Sequence, residues 1–131
     1  MSEPAVTDLV AFVHVEDVAA SAAFYEHLGF AVTDRYQPED TLDWVFLANG
    51  DARLMLARAD VPVDRENQGV LFYLYTQELD ALRERLVAAG LDPPAIEENA
   101  PHGPKRQLWL CDPDGYALGI AEIAGPRVRI T

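Results

Sequence analysis

The chain repeats itself. Residues 8–30 read DLVAFVHVEDVAASAAFYEHLGF, and residues 69–91 read GVLFYLYTQELDALRERLVAAGL. Each segment is an apolar strand, then an amphipathic helix, then a glycine followed by an apolar residue. Gly29 aligns with Gly90, 61 residues on, and Asp17 then falls on Glu78 and Val18 on Leu79. Identities are few, but the apolar positions agree, and a pattern of this kind marks one supersecondary unit used twice.

Both helices have physical start and stop signals. In the first, Val18, Ala22, Tyr25 and Gly29 share a face, with Ser21 and Leu28 beside it. Asp17 is placed to cap its start and Gly29 to end it. In the second, Leu79, Leu82, Leu86 and Ala89 form the stripe that faces the core, with Thr76 as candidate cap and Gly90 as stop. Strands follow each helix. Ala31–Tyr36, Leu42–Ala48 and Ala52–Arg58 belong to the first half, the last two flanking the hairpin signal Asn49-Gly50. Ala95–Glu97, Gln107–Cys111 and Tyr116–Glu122 belong to the second, the last two flanking Asp112-Pro113-Asp114-Gly115. Each half therefore reads βαβββ.

The expected fold class is α+β: two tandem βαβββ modules forming a curved, eight-stranded mixed sheet, with helices on the convex face and a cup on the other. Module one spans residues 8–58, a polar linker 59–68, module two 69–123 and a peripheral tail 124–131, all within one domain of 131 residues.

Two motifs carry a family resemblance. HVEDVAASAAFYEHLGF ends in Phe24-Tyr25, Leu28, Gly29 and Phe30, and DPDGYALGIAEI (Asp112–Ile123) is a turn followed by a strand. In order, inside a repeated βαβββ pattern, they resemble the vicinal-oxygen-chelate superfamily of glyoxalases, bleomycin-resistance proteins and dioxygenases. The resemblance covers roughly residues 8–123. It implies the sheet fold above, and for the metal-dependent members one His or Glu ligand on the first and last strand of each module. Carried over, those positions are Val10, Met55, Leu71 and Gly119. None offers imidazole, carboxylate or thiolate, which a divalent cation requires. The resemblance then implies the metal-free, bleomycin-resistance-like branch, with no cofactor and no catalytic residue. The alternative is a glyoxalase-like lyase or isomerase, or a dioxygenase-related enzyme, with non-standard site residues.

Strand parity names the lining of the cup. If position 10 faces inward, so do Phe12 and His14; if 71 does, so do Tyr73 and Tyr75. An Asn49-Gly50 turn pairs Trp44 with Met55 and Phe46 with Arg53, which places all four on the cup face. Ala117, Gly119 and Ala121 are small and leave room. The side taken by Trp109 depends on whether the neighbouring turn holds a bulge. The expected ligand-binding set is thus Phe12, His14, Trp44, Phe46, Arg53, Met55, Tyr73, Tyr75 and Trp109, a lining that suits a hydrophobic or aromatic small molecule. The same aromatics also suit a core or a subunit interface. His14 reads as a hydrogen-bonded pocket residue, Cys111 as packing, and residues 100–106, which include His102, as a loop at the rim.

Composition narrows the partners. A net charge of −12, from 22 acids and 10 bases, argues against nucleic acid; it serves solubility first, and it also suits a cationic ligand. No apolar run reaches the ~20 residues of a membrane span. The start, Met1-Ser2-Glu3-Pro4, lacks the pattern of a secretory signal, and the single Cys111 excludes an intrachain disulfide. These point to a cytoplasmic protein, and the resemblance implies a homodimer.

Overall fold

The computed structural model describes residues 5, 8–69, 71–100 and 105–123. The chain divides into two compact units, Met1–Val63 and Asp64–Thr131.

In the first unit, β1 (Ala11–Val15) alternates: Val13 and Val15 are buried, Phe12 and His14 exposed. The chain then enters α1 (Val18–Glu26), whose first turn is capped as expected, Asp17 Oδ1 accepting from the Ala20 N–H at 3.1 Å. The helix buries Val18, Ser21, Ala22, Phe24 and Tyr25. It ends where Gly29 takes φ +101°, a conformation that glycine adopts without a Cβ penalty. There the Gly29 N–H donates to Glu26 O and the Phe30 N–H to Tyr25 O, and the Phe30 ring packs 6.0 Å from that of Tyr25. This is a Schellman ending with its apolar contact. β2 (Ala31–Tyr36), β3 (Trp44–Asn49) and β4 (Ala52–Arg58) complete a four-stranded sheet in the order β1-β4-β3-β2. β1 and β4 are parallel and the other pairs antiparallel. Helix α1 packs on β2, β3 and β4, over Val45, Leu47, Leu54 and Leu56, all of which are buried.

The second unit repeats the plan. β5 (Leu71–Thr76), α2 (Leu79–Ala88), β6 (Gln107–Cys111) and β7 (Ala117–Glu122) form a three-stranded sheet in the order β5-β7-β6, with β5 and β7 parallel. Helix α2 ends as α1 does: the Gly90 N–H donates to Val87 O, the Leu91 N–H to Leu86 O, and Gly90 has φ +81°. The repeat reaches the rungs of the sheets. Phe12 lies beside Met55, and Tyr73, 61 residues after Phe12, lies beside Gly119.

Several expectations need correction. Among the described residues the strands number seven, because the segment near Ala95–Glu97 shrinks to one antiparallel bridge, Glu97 to Gln107. β3 begins at Trp44 rather than Leu42 and runs one residue past Ala48. β7 begins after Tyr116, whose N–H is taken by Asp112 Oδ1 (2.9 Å) to close the turn instead of joining the ladder. Thr76 does not cap α2. It belongs to β5, and its hydroxyl accepts from the Glu78 N–H, while the first helical N–H, that of Leu79, donates to Glu122 Oε2 on β7 at 3.1 Å. Leu79 and Leu86 are buried, but Leu82 is only half-buried and Ala89 exposed.

The hairpin pairs Asn49 with Ala52, so the two-residue loop is Gly50-Asp51 and not Asn49-Gly50. Glycine with φ +61° occupies the first central position, as a II′-type turn needs. Trp44 consequently pairs with Ala57 and Phe46 with Met55, not with Met55 and Arg53. The displacement is two residues, and side chains alternate with period two, so the assigned faces survive.

The polar segment 59–68 is tied down within each unit. The Ala59 N–H donates to Val15 O, and the Gln68 side chain to Asp114 O at 3.2 Å. Residues 101–104, including His102, and the tail 124–131 lie outside the described residues. No helix of the described residues is long and apolar enough to cross a membrane.

Candidate functional site

Each sheet turns one face to its helix, and the sequence-predicted residues lie on the opposite faces. In the first unit, one row across the sheet holds His14, Ala57 and Trp44, and the next holds Phe12, Met55 and Phe46. The Phe12 and His14 rings meet edge to face at 5.3 Å, and Trp44 and Phe46 at 6.4 Å. Phe12 is 52% exposed, and Trp44, Phe46 and Met55 are half-buried. Arg53 stands one row further along, paired with Ala48. Its guanidinium forms an ion pair with Asp8, while its Nε is buried without a partner.

In the second unit the corresponding rows are Leu71, Ala117 and Cys111; Tyr73, Gly119 and Trp109; and Tyr75, Ala121 and Gln107. The register of β6 on β7 is continuous, with no bulge, so Trp109 joins Tyr73 and Tyr75. The Tyr73 and Tyr75 rings are nearly parallel (19°), 6.3 Å apart, and Trp109 meets Tyr73 edge to face at 5.3 Å. The room expected over Gly119 is occupied: a Cβ there would lie 2.9 Å from both Trp109 Cη2 and Tyr73 Cε1. Glycine lets the two rings close over the strand.

These rows also test the metal that the resemblance attaches to the fold. Met55 sits between Phe12 and Phe46, Gly119 between Tyr73 and Trp109, and Leu71 beside Ala117. Val10 precedes β1. Hydrocarbon, a thioether and aromatic rings surround these positions, so the donor set does not fit a hard divalent cation. Among the described residues no three His, Cys, Asp or Glu side chains form a group able to hold a metal.

Parity also brings in a residue that the sequence reading did not single out. Gln107 shares the row of Tyr75 and is 6% exposed. Its place follows from the parity of Trp109, which becomes fixed only once the hairpin register is known.

A separate cleft of about 400 Å³ lies at the start of α1, lined by Glu16, Asp17, Asp40, Thr41 and Arg58 among others. None of the predicted residues touches it. Its polar groups hold the fold: Asp17 caps the helix, Glu16 accepts from the Val63 N–H, and Arg58 Nε lies 2.9 Å from Asp43 Oδ1.

The chain matches the family model described as the Glyoxalase/Bleomycin resistance protein/Dioxygenase superfamily over residues 8–120. No curated protein sequence matches it significantly. Solved structures share its fold. A bleomycin-binding protein from bleomycin-producing Streptomyces verticillus, complexed with copper(II)-bleomycin, is 22% identical with a TM-score of 0.66, covering 92% of this chain and 98% of that one. A bleomycin resistance determinant encoded on transposon Tn5 is 22% identical with a TM-score of 0.67, covering 89% and 98%. A lactoylglutathione lyase from Agrobacterium tumefaciens is 20% identical with a TM-score of 0.64, covering 92% and 96%. At these identities the likeness is one of fold.

Proposed function

Because the chain belongs to the Glyoxalase/Bleomycin resistance protein/Dioxygenase superfamily, we propose that it works as the family's binding proteins do: it holds a flat, largely apolar small molecule against a sheet face turned away from its helix, without a metal ion. The observation that carries this reading is the grouping of large aromatics on the sheet face opposite each helix: Phe12, Trp44 and Phe46 in the first unit, and Tyr73, Tyr75 and Trp109 in the second. Soluble chains spend large aromatics on uncovered surfaces chiefly where something docks. Rings supply area and stacking, and His14 and Arg53 add polar contacts at the edge. Proteins of the same fold are described as bleomycin-binding and antibiotic-binding, so sequestration has precedent in it beside the chemistry of the lyase. The charge of −12 favours a cationic ligand.

The family's metal-dependent chemistry needs donor atoms to polarise oxygen. Val10, Met55, Leu71 and Gly119 carry none suited to the task. In this account the modules 8–58 and 69–123 are joined by 59–68, and the protein acts in the cytoplasm as a homodimer.

Thermal unfolding with bleomycin, metal-free and as its copper(II) complex, and with planar dyes tests the proposal. A ligand at 100 times its dissociation constant adds about 2.7 kcal/mol, a rise of several degrees in Tm. The expected result is such a rise with at least one planar ligand, unchanged by chelator. Flat melting curves with every ligand contradict the proposal.

A further inference from the structure

The row Tyr75, Ala121, Gln107 ends in a polar group that the fold does not use. Both backbone groups of Gln107 are bonded to Glu97, at 3.0 and 2.7 Å, so the side chain is not needed to hold the strand. Yet the side chain is buried (6% exposed), and its Oε1 has no hydrogen-bond partner. A buried amide oxygen without a donor is destabilising, and such groups are rare unless something else supplies the donor. Gln107 shares a row with Tyr75, across Ala121, and Trp109 lies two residues along β6 on the same face.

We propose that Gln107 Oε1 is the acceptor that orients the ligand: it takes a hydrogen bond from an exocyclic amino N–H of a planar aromatic molecule lying against Tyr73, Tyr75 and Trp109. This rests on the binding function proposed above and narrows it to planar aromatics with a peripheral N–H. The near-parallel Tyr73 and Tyr75 rings select flatness. The orphaned oxygen selects a donor. Because that oxygen is covered, the ligand's N–H reaches it when the covering group moves aside.

Two dyes isolate the hydrogen bond. Proflavine and acridine orange share a cationic tricyclic ring, but the aryl N–H groups of the first are methylated in the second. The wild-type chain is expected to bind proflavine about tenfold more tightly, the effect of one buried hydrogen bond. Gln107→Leu abolishes the difference by weakening proflavine alone, and Gln107→Glu keeps it. Gln107→Leu also melts at or above the wild-type temperature, because it removes an unsatisfied acceptor. If both dyes bind but the preference is absent, or persists in Gln107→Leu, the assignment to Gln107 falls while the aromatic site stands. If Gln107→Leu melts well below the wild type, the amide has a structural role and the assignment again falls. If neither dye binds, both readings fall.

Discussion

Gly119 shows how much one residue decides. Its φ lies outside the left-handed region, so glycine is not needed there for the backbone; it is needed because two rings fill the Cβ space. Gly119→Ala forces Trp109 and Tyr73 apart. Overpacking of this kind costs roughly 1–3 kcal/mol, and ligand affinity falls with it; calorimetric melting and titration check both. Gly115 is stricter. At φ +84° a Cβ would lie 2.5 Å from the backbone oxygen of Arg65, which cannot swing away as a side chain does. Gly115→Ala is therefore expected to lower Tm more than Gly119→Ala does, and the reverse order would refute this packing account. Side-chain direction was legible from the sequence wherever a strand's parity was secure, as for Phe12, His14, Tyr73 and Tyr75. It was not legible for Gln107, whose burial depends on partners distant in the chain.

At the scale of elements, alternation proved more robust than pairing. The β3–β4 register differs from expectation by two residues because Gly50, not Asn49, takes the first central turn position. The faces stand because two is the period of a strand. The start of α2 was less legible. Its first N–H is satisfied from β7, 43 residues away, by Glu122, which also binds Arg106 Nη1 at 2.6 Å. Arg106 further holds Asp80 and Glu98, each at 3.0 Å. No local cap rule anticipates a carboxylate from another strand. Glu122→Ala is expected to cost about 1–2 kcal/mol, typical of a lost helix cap, read by denaturant unfolding.

This cluster, and separately Asp64, add a dependence on pH at the acid end. The hydrogen bond from Arg106 draws the Asp80 carboxyl below its ordinary value, and the side chain of Asn67 does the same for Asp64. Lowered carboxyl groups bind fewer protons folded than unfolded. Their contribution is complete above the unfolded value of about 3.9 and lost as pH falls through the lowered one. Arg106→Gln should flatten stability against pH on the acid side of about pH 4; an unchanged slope would show that the cluster contributes nothing there. At the other end, burial raises the Tyr116 phenol, with Asp112 and Asp114 adding to the rise. Its folded form keeps the proton longer, so that stability is lost as pH climbs above about 10.

At the scale of the molecule, the internal repeat makes the architecture readable from the sequence. Both halves end their helices with the same glycine motif and lay their parallel strands on matching rungs. The match is incomplete where the second half reduces one strand to the bridge at Glu97, in a stretch with two prolines and little apolar alternation. Ligand identity was not legible, because aromatic area specifies flatness and size but little else.

The chain's two tryptophans, Trp44 and Trp109, both lie on sheet faces turned away from the helices, one in each unit, and both are half-buried. Their emission therefore reports occupancy of those faces directly. The decisive measurement is tryptophan fluorescence during titration with bleomycin and proflavine in the presence of chelator, repeated with Trp44→Phe and Trp109→Phe. The account predicts saturable quenching that survives the chelator, with each variant losing the part of the signal that belongs to its own face. Emission that stays constant through both titrations, or quenching that appears only when a divalent metal is added, would contradict it.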